Sequence, residues 1–260
     1  MKKINKSHPP NALTTYAVSY PNNDWDNDFR NDQNGITYKT IKNLIFSDQG
    51  YLCAYCETQI SNNTPNKQRV EHFHPKSDKS NSAINWSLDW NNVIGVCLGG
   101  EDADRSKHVL PANLSCDAYK NHLVNKNKLP TACEGHLINP LQMLAFPCLF
   151  TLNRGTGELK PNIEKCMQVV FEDNQYPTTV ELIEKTIEYF NLNCDRLNQD
   201  RVAVIRQYNK EVKKARLRND KNCFSKLASQ WFQNQWPSYF TTRRILLEHH
   251  DENMFAELEF

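Results

Sequence analysis

The sequence predicts an α+β protein in which a metal-braced, cysteine-framed core is embedded in a mainly helical chain. Three observations carry that expectation. Cys53, Cys56, Cys97 and Cys116 fall in one block with few periodic apolar runs, as expected where a metal replaces part of a core. Phe150 to Pro161 carries the Asn and Gly residues of a hairpin turn between two short apolar runs. From Thr178 onward, apolar residues recur at helical spacing.

In chain order, residues 1–35 are rich in Asn, Pro and Asp and read as an irregular lead-in anchored by Tyr16, Tyr20 and Trp25. Ile41, Leu44 and Ile45 predict a helix from Ile36 to about Phe46, with Gly50 as its stop. Val180, Ile183, Ile187 and Phe190 mark one face of a later helix. A second helix starts near Asp195 and runs past Val202, Ile205 and Val212. A third carries Phe224, Leu227, Ala228 and Trp231. Pro237 interrupts, and a short helix resumes around Ile245 to Leu247. The expected organisation is a lead-in and helix (1–50), a cysteine-framed core (51–135), and a hairpin with helices (136–260). No internal repeat is visible.

At 260 residues, 39% hydrophobic and 10% aromatic, the chain can bury a proper core. The mean hydropathy is −0.71. No run approaches the about 20 apolar residues that cross a bilayer, and Met1 to His8 offer no apolar signal segment. With nine scattered cysteines, a reducing cytoplasm is the expected location, where clustered cysteines mean metal more often than disulfide. The net charge of +1 says nothing about a nucleic-acid partner.

Cys53-x2-Cys56 places two thiolates on one tight turn, as tetrahedral zinc requires. Cys97 and Cys116 supply the other half if the segment between them loops out. Otherwise they are ordinary buried thiols. Cys133, Cys148, Cys166, Cys194 and Cys223 read as packing residues, with Cys133 and His136 as spare ligands in the alternative.

The same block holds Glu71-His72-Phe73-His74-Pro75, Asn92 and Asp117. Phosphodiester hydrolysis needs a base for the attacking water and charge stabilisation at the phosphate. A neutral His supplies the first. Carboxylates holding a hard ion such as Mg2+ or Mn2+ supply the second. Glu71 and Asp117 are the candidate oxygen ligands, His72 the base and Asn92 the amide. Asn92 is preferred to Asn91 for its distance to Cys97. Neighbouring Glu71 and His72 on a strand point to opposite faces, so a bend is expected if both serve one site. His74 is expected to pack or hydrogen-bond.

This order of Cys-x2-Cys, acid-His-x-x-Pro, an Asn ahead of a Cys, and Cys-x3-Lys resembles the HNH endonuclease family. The resemblance implies a ββα-metal finger around one catalytic ion, with His72 as general base, Glu71 as metal ligand and Asn92 as the middle Asn. It places Asp117 or Asn121 at the final metal-ligand position and matches Lys120 to a common basic residue. Gln49 to Glu57, Val70 to Lys76, Leu137 to Pro140 and Thr186 to Asn193 are similar to the PtuB nuclease subunits of Septu anti-phage defence, some of them found with retrons. That resemblance spans most of the chain, least at its C-terminal end. It implies a PtuA-like ATPase as partner, nucleic acid as substrate, and in the retron setting a reverse transcriptase and its msDNA.

Arg201, Arg206, Lys210, Lys213, Lys214, Arg216, Arg218 and Lys221 read as a phosphate-tracking face, a solvated helical face or a docking surface. Glu248, Asp251, Glu252, Glu257 and Glu259 have no basic neighbour in sequence, yet lie among Met254, Phe255, Leu258 and Phe260. That acidic amphipathic end suits a partner's groove or packs on its own domain. The expected function is a metal-dependent endonuclease, with DNA the favoured substrate. RNA cleavage by the same site, or a catalytically inert zinc module, are the alternatives.

Overall fold

The computed structural model describes residues 1–233 and 236–248. Helix α1 (Ala12–Ser19) leads, where an irregular segment was expected. Its signal is a capping box: Asn11 Oδ1 accepts from the Leu13 and Thr14 amides, each at 3.0 Å, and Thr14 Oγ1 accepts from the Asn11 amide at 2.9 Å. Tyr16 and Trp25 anchor the segment as expected, whereas Tyr20 is 52% exposed. Helix α2 (Ile36–Asp48) buries Ile41, Ile45 and Phe46 and stops just before Gly50, whose φ of +61° suits glycine.

Strands β1 (Arg69–His72) and β2 (Val93–Val96) pair antiparallel, Glu71 opposite Ile94 and His72 opposite Val93. Helix α3 (Cys116–Asn125) follows, completing a strand–strand–helix unit. The expected hairpin is present as β3 (Phe150–Leu152) and β4 (Leu159–Pro161). A one-turn helix α4 (Ile163–Cys166) comes next, followed by α5 (Thr179–Tyr189) and the long α6 (Asp195–Leu217). The series closes with α7 (Cys223–Phe232) and α8 (Phe240–Glu248). Among the described residues no helix is long and apolar enough to cross a membrane.

Two apolar clusters flank the β1–β2 pair. The larger joins Phe73, Ile94 and Val96 to the hairpin and to α5–α8. The smaller packs Leu13, Tyr16, Trp25 and Phe29 against Ile41 and Ile45 of α2, with Leu88, Trp90 and Val93. Alternation along a strand sends successive side chains to different clusters. Gln49 ties α2 to β2: its amide donates to Leu52 O and Gly95 O, each at 2.8 Å, and accepts from the Gly95 amide at 2.7 Å.

Two surface readings change. Arg201 is only 1% exposed and belongs to no surface face of α6. Its guanidinium donates to Leu192 O at 2.5 Å, Asn198 Oδ1 at 2.9 Å and Gly157 O at 3.2 Å, stitching the hairpin and the α5–α6 turn to α6. Glu248 does have a basic partner, Arg244 one helical turn earlier. The acidic stretch from Asp251 to Phe260 lies outside the described residues.

Removing the buried guanidinium leaves the Leu192 and Gly157 carbonyls without a donor. Arg201→Ala is therefore expected to lose about 3 kcal/mol in urea unfolding. A loss no larger than that of a typical surface substitution would contradict this role.

Candidate metal centre and active site

The cysteine framework assembles from three elements. The turn after α2 carries Cys53 and Cys56, with the Cys53 amide donating to Thr58 O at 3.0 Å and the Glu57 amide to Cys53 O at 3.0 Å. Cys97 follows directly on β2, and Cys116 opens α3. The intervening segment loops out and is closed at its neck, where the Ser115 amide donates to Gly99 O at 2.8 Å. Gly99 has φ +62°, and a Cβ there would stand 2.4 Å from Ser115 O, so the neck requires glycine.

The four Sγ atoms lie within 4.8 Å of one another. Cys53–Cys116 and Cys97–Cys116 are 3.8 Å apart and Cys56–Cys97 3.7 Å. Zinc–sulfur bonds of about 2.3 Å in a tetrahedron require edges of about 3.8 Å. The donor set therefore fits zinc in chemistry and in size. Amides of Cys97 and Gly99 donate to the sulfurs of Cys53 and Cys97, each at 3.3 Å, the polarity that thiolate ligands want. Hydrogen bonds from Cys116, Cys53 and Cys97 hold the Cys56 thiol well below its ordinary pKa, while burial drives Cys116 well above. Metal binding at such a site requires the thiols to give up their protons. Cys133 and His136 stand outside this cluster among the described residues.

Directly after Cys116, the first turn of α3 turns Asp117 inward, and Lys120 one turn later joins it; they are 8% and 5% exposed. Glu71 reaches them from β1. Lys120 Nζ bonds the Glu71 carboxylate and lies 3.6 Å from Asp117 Oδ1. Asn121 is exposed and donates to Asp117 Oδ1 at 2.9 Å, so Asp117, not Asn121, faces Glu71. Burial pushes the Glu71 carboxyl upward and Asp117 adds to the rise, with Lys120 pulling the other way. Tyr55 adjoins this pair: its hydroxyl is buried without a partner, and after burial itself Glu71 and Asp117 are the main causes of its raised pKa. A hard-oxygen pair beside an orphaned hydroxyl suits a hydrated divalent ion.

No bend separates Glu71 from His72. Strand pairing continues through His72, so the two side chains leave opposite faces, Glu71 toward α3 and His72 toward the smaller cluster. There His72 meets Trp25 edge-on at 4.7 Å between ring centres, and its Nε2 donates to Ser87 O at 3.0 Å. That bond leaves Nδ1 as the acceptor nitrogen. Burial lowers the His72 pKa to about 4, so the ring is neutral at pH 7.

Asn92 touches neither carboxylate of the pair in its hydrogen bonding. It accepts from the His74 amide at 2.7 Å and donates to His74 O at 3.0 Å and Trp86 O at 2.8 Å, locking the turn that follows His72. Sequence reasoning anticipated that His74 packs or hydrogen-bonds but missed its partners. Its ring stacks on Trp86 at 4.0 Å, with Glu134 at 2.7 Å from Nδ1 and Asp78 at 2.8 Å from Nε2. Nothing local in the sequence marks Glu134 as a neighbour of His74.

No family model matches the chain. A protein of Escherichia coli named as an HNH endonuclease of retron Ec83 is 38% identical to it over 248 residues, covering 95% of this chain and 94% of that protein.

The sulfur geometry makes a direct test available. Purified protein is expected to carry about one zinc per chain by plasma mass spectrometry. Cys97→Ser should lose most of that zinc and melt at a lower temperature. Full zinc content and unchanged melting in this variant would make Cys97 a bystander.

Proposed function

The chain belongs to the HNH endonuclease family, enzymes that hydrolyse phosphodiester bonds, and we propose that it cleaves DNA with His72 as general base and a Mg2+ or Mn2+ ion held by Glu71 and Asp117. The observation that carries this reading is the meeting of the Glu71 carboxylate from β1 with the buried Asp117 carboxylate from α3 at Lys120, while the adjoining His72, on the other face of β1, is held in one tautomer.

Each residue's part follows from its surroundings. His72 Nδ1 takes a proton from the attacking water, because Nε2 is committed to Ser87 O and the ring starts neutral. When bound, the divalent ion supplies stabilisation of the charge that builds on the phosphate. Since β1 ends at His72, a phosphodiester laid across the strand terminus is flanked by Glu71 on one side and His72 on the other. Asn92 positions the base by fixing the turn after it, a supporting role of the kind that conserves geometry at such sites. The sulfur tetrahedron, read as structural Zn2+, holds α3 and therefore Asp117.

The name of the Escherichia coli relative supports a retron setting; a reverse transcriptase and its msDNA as companions, and phage defence as the context, follow from the likeness to PtuB. The likeness to PtuB adds a PtuA-like ATPase as partner. All nine cysteines are free, which supports work in a reducing cytoplasm.

Labelled DNA and RNA, incubated in Mg2+ or Mn2+ with the protein and its ATPase partner, test this reading. Wild type is expected to cut DNA, and His72→Ala to be slower by about 10²-fold or more. Cutting of RNA alone would move the substrate class. Equal cutting by both proteins would remove His72 from the mechanism.

A further inference from the structure

A lysine buried to 5% exposure between two carboxylates is an unusual neighbour for a divalent ion. Lys120 lies on the Glu71 carboxylate with Asp117 Oδ1 3.6 Å away, so its ammonium occupies the place between the two acids where a cation would sit. Asn121 steadies Asp117 from outside, and the unpartnered Tyr55 hydroxyl lies beside the cluster.

We propose that Lys120 is a tethered resident cation that competes with the divalent ion for Glu71 and Asp117 and keeps the site's affinity for that ion low until nucleic acid is present. This rests on the reading of those carboxylates as the ion's ligands. The electrostatic balance gives the reason. Two carboxylates against one ammonium leave the cluster short of positive charge. A divalent ion added to all three overshoots, setting a dication beside an ammonium at short range in a poorly screened site. A phosphodiester, itself an anion, restores the balance and gives the displaced ammonium a new partner. Ion and substrate then favour each other's binding, and that preference is reciprocal by linkage.

Manganese titration of zinc-loaded protein without nucleic acid, read as loss of the free-ion electron paramagnetic resonance signal, separates the possibilities. Lys120→Met is expected to bind Mn2+ roughly tenfold or more tightly than wild type, and Lys120→Arg to stay near wild type. A merely structural lysine predicts the opposite: Lys120→Met binding no better, or worse, with zinc content and circular dichroism intact. That result would overturn the proposal. Lys120→Gln gives the same comparison if Met impairs folding. Glu71→Gln is the control for the underlying site. If it leaves Mn2+ affinity unchanged, the carboxylate reading fails; if it abolishes binding while Lys120→Met and Lys120→Gln gain nothing, only the competing-cation inference fails.

Discussion

Four sulfurs drawn from distant points of the chain into a space of 4.8 Å are the constraint on which the rest depends. A zinc ion held by all four would contribute a binding free energy on the order of 10 kcal/mol, as in small zinc sites. Because the sulfurs come from the α2 turn, the end of β2 and the start of α3, that energy fixes a strand and a helix relative to each other. Asp117 follows Cys116 directly, so its position relative to Glu71 is inherited from the sulfur cluster.

The two sites divide their chemistry by hardness. The soft thiolates are enclosed and complete, as a structural centre requires. The hard carboxylates have an orphaned hydroxyl beside them and a buried lysine between them. The β1–β2 pair separates this acidic side from the histidine side, and each side rests on its own apolar cluster. Trp25, from the N-terminal segment, therefore belongs to the environment of His72 as much as any residue of the strand–strand–helix unit.

The parts legible in the sequence are those governed by short spacing. Cys53-x2-Cys56, the hairpin turn at Asn153 to Gly157 and the periodic helices α5 to α7 all announce themselves locally. The sequence brought Glu71, Asp117 and Lys120 into one block but left Asp117 and Asn121 as alternatives, and only the fold turns Asp117 toward Glu71 while sending His72 and Asn92 elsewhere. The rest depended on partners far away in the chain. Helix α1 was hidden because its cap uses Asn11 and Thr14 in a polar segment with weak periodicity. Arg201 looked like a surface charge because backbone carbonyls at Leu192 and Gly157 leave no trace in a residue pattern. The bend expected if Glu71 and His72 serve one site is absent, because the pairing with β2 continues through His72 and keeps the two side chains on opposite faces.

The neck joining Ser115 to Gly99 has a consequence for how this protein can diverge. A loop closed at its base by a hydrogen bond and two metal ligands transmits little of its own length to what lies below. Each doubling of such a loop costs only about 0.6 kcal/mol in closure entropy. A change of length at the exposed tip from Asp104 to Lys107 is therefore expected to leave the sulfur cluster in place, whereas the base of the loop is tied to the α5–α6 turn through Asn191 and Arg196.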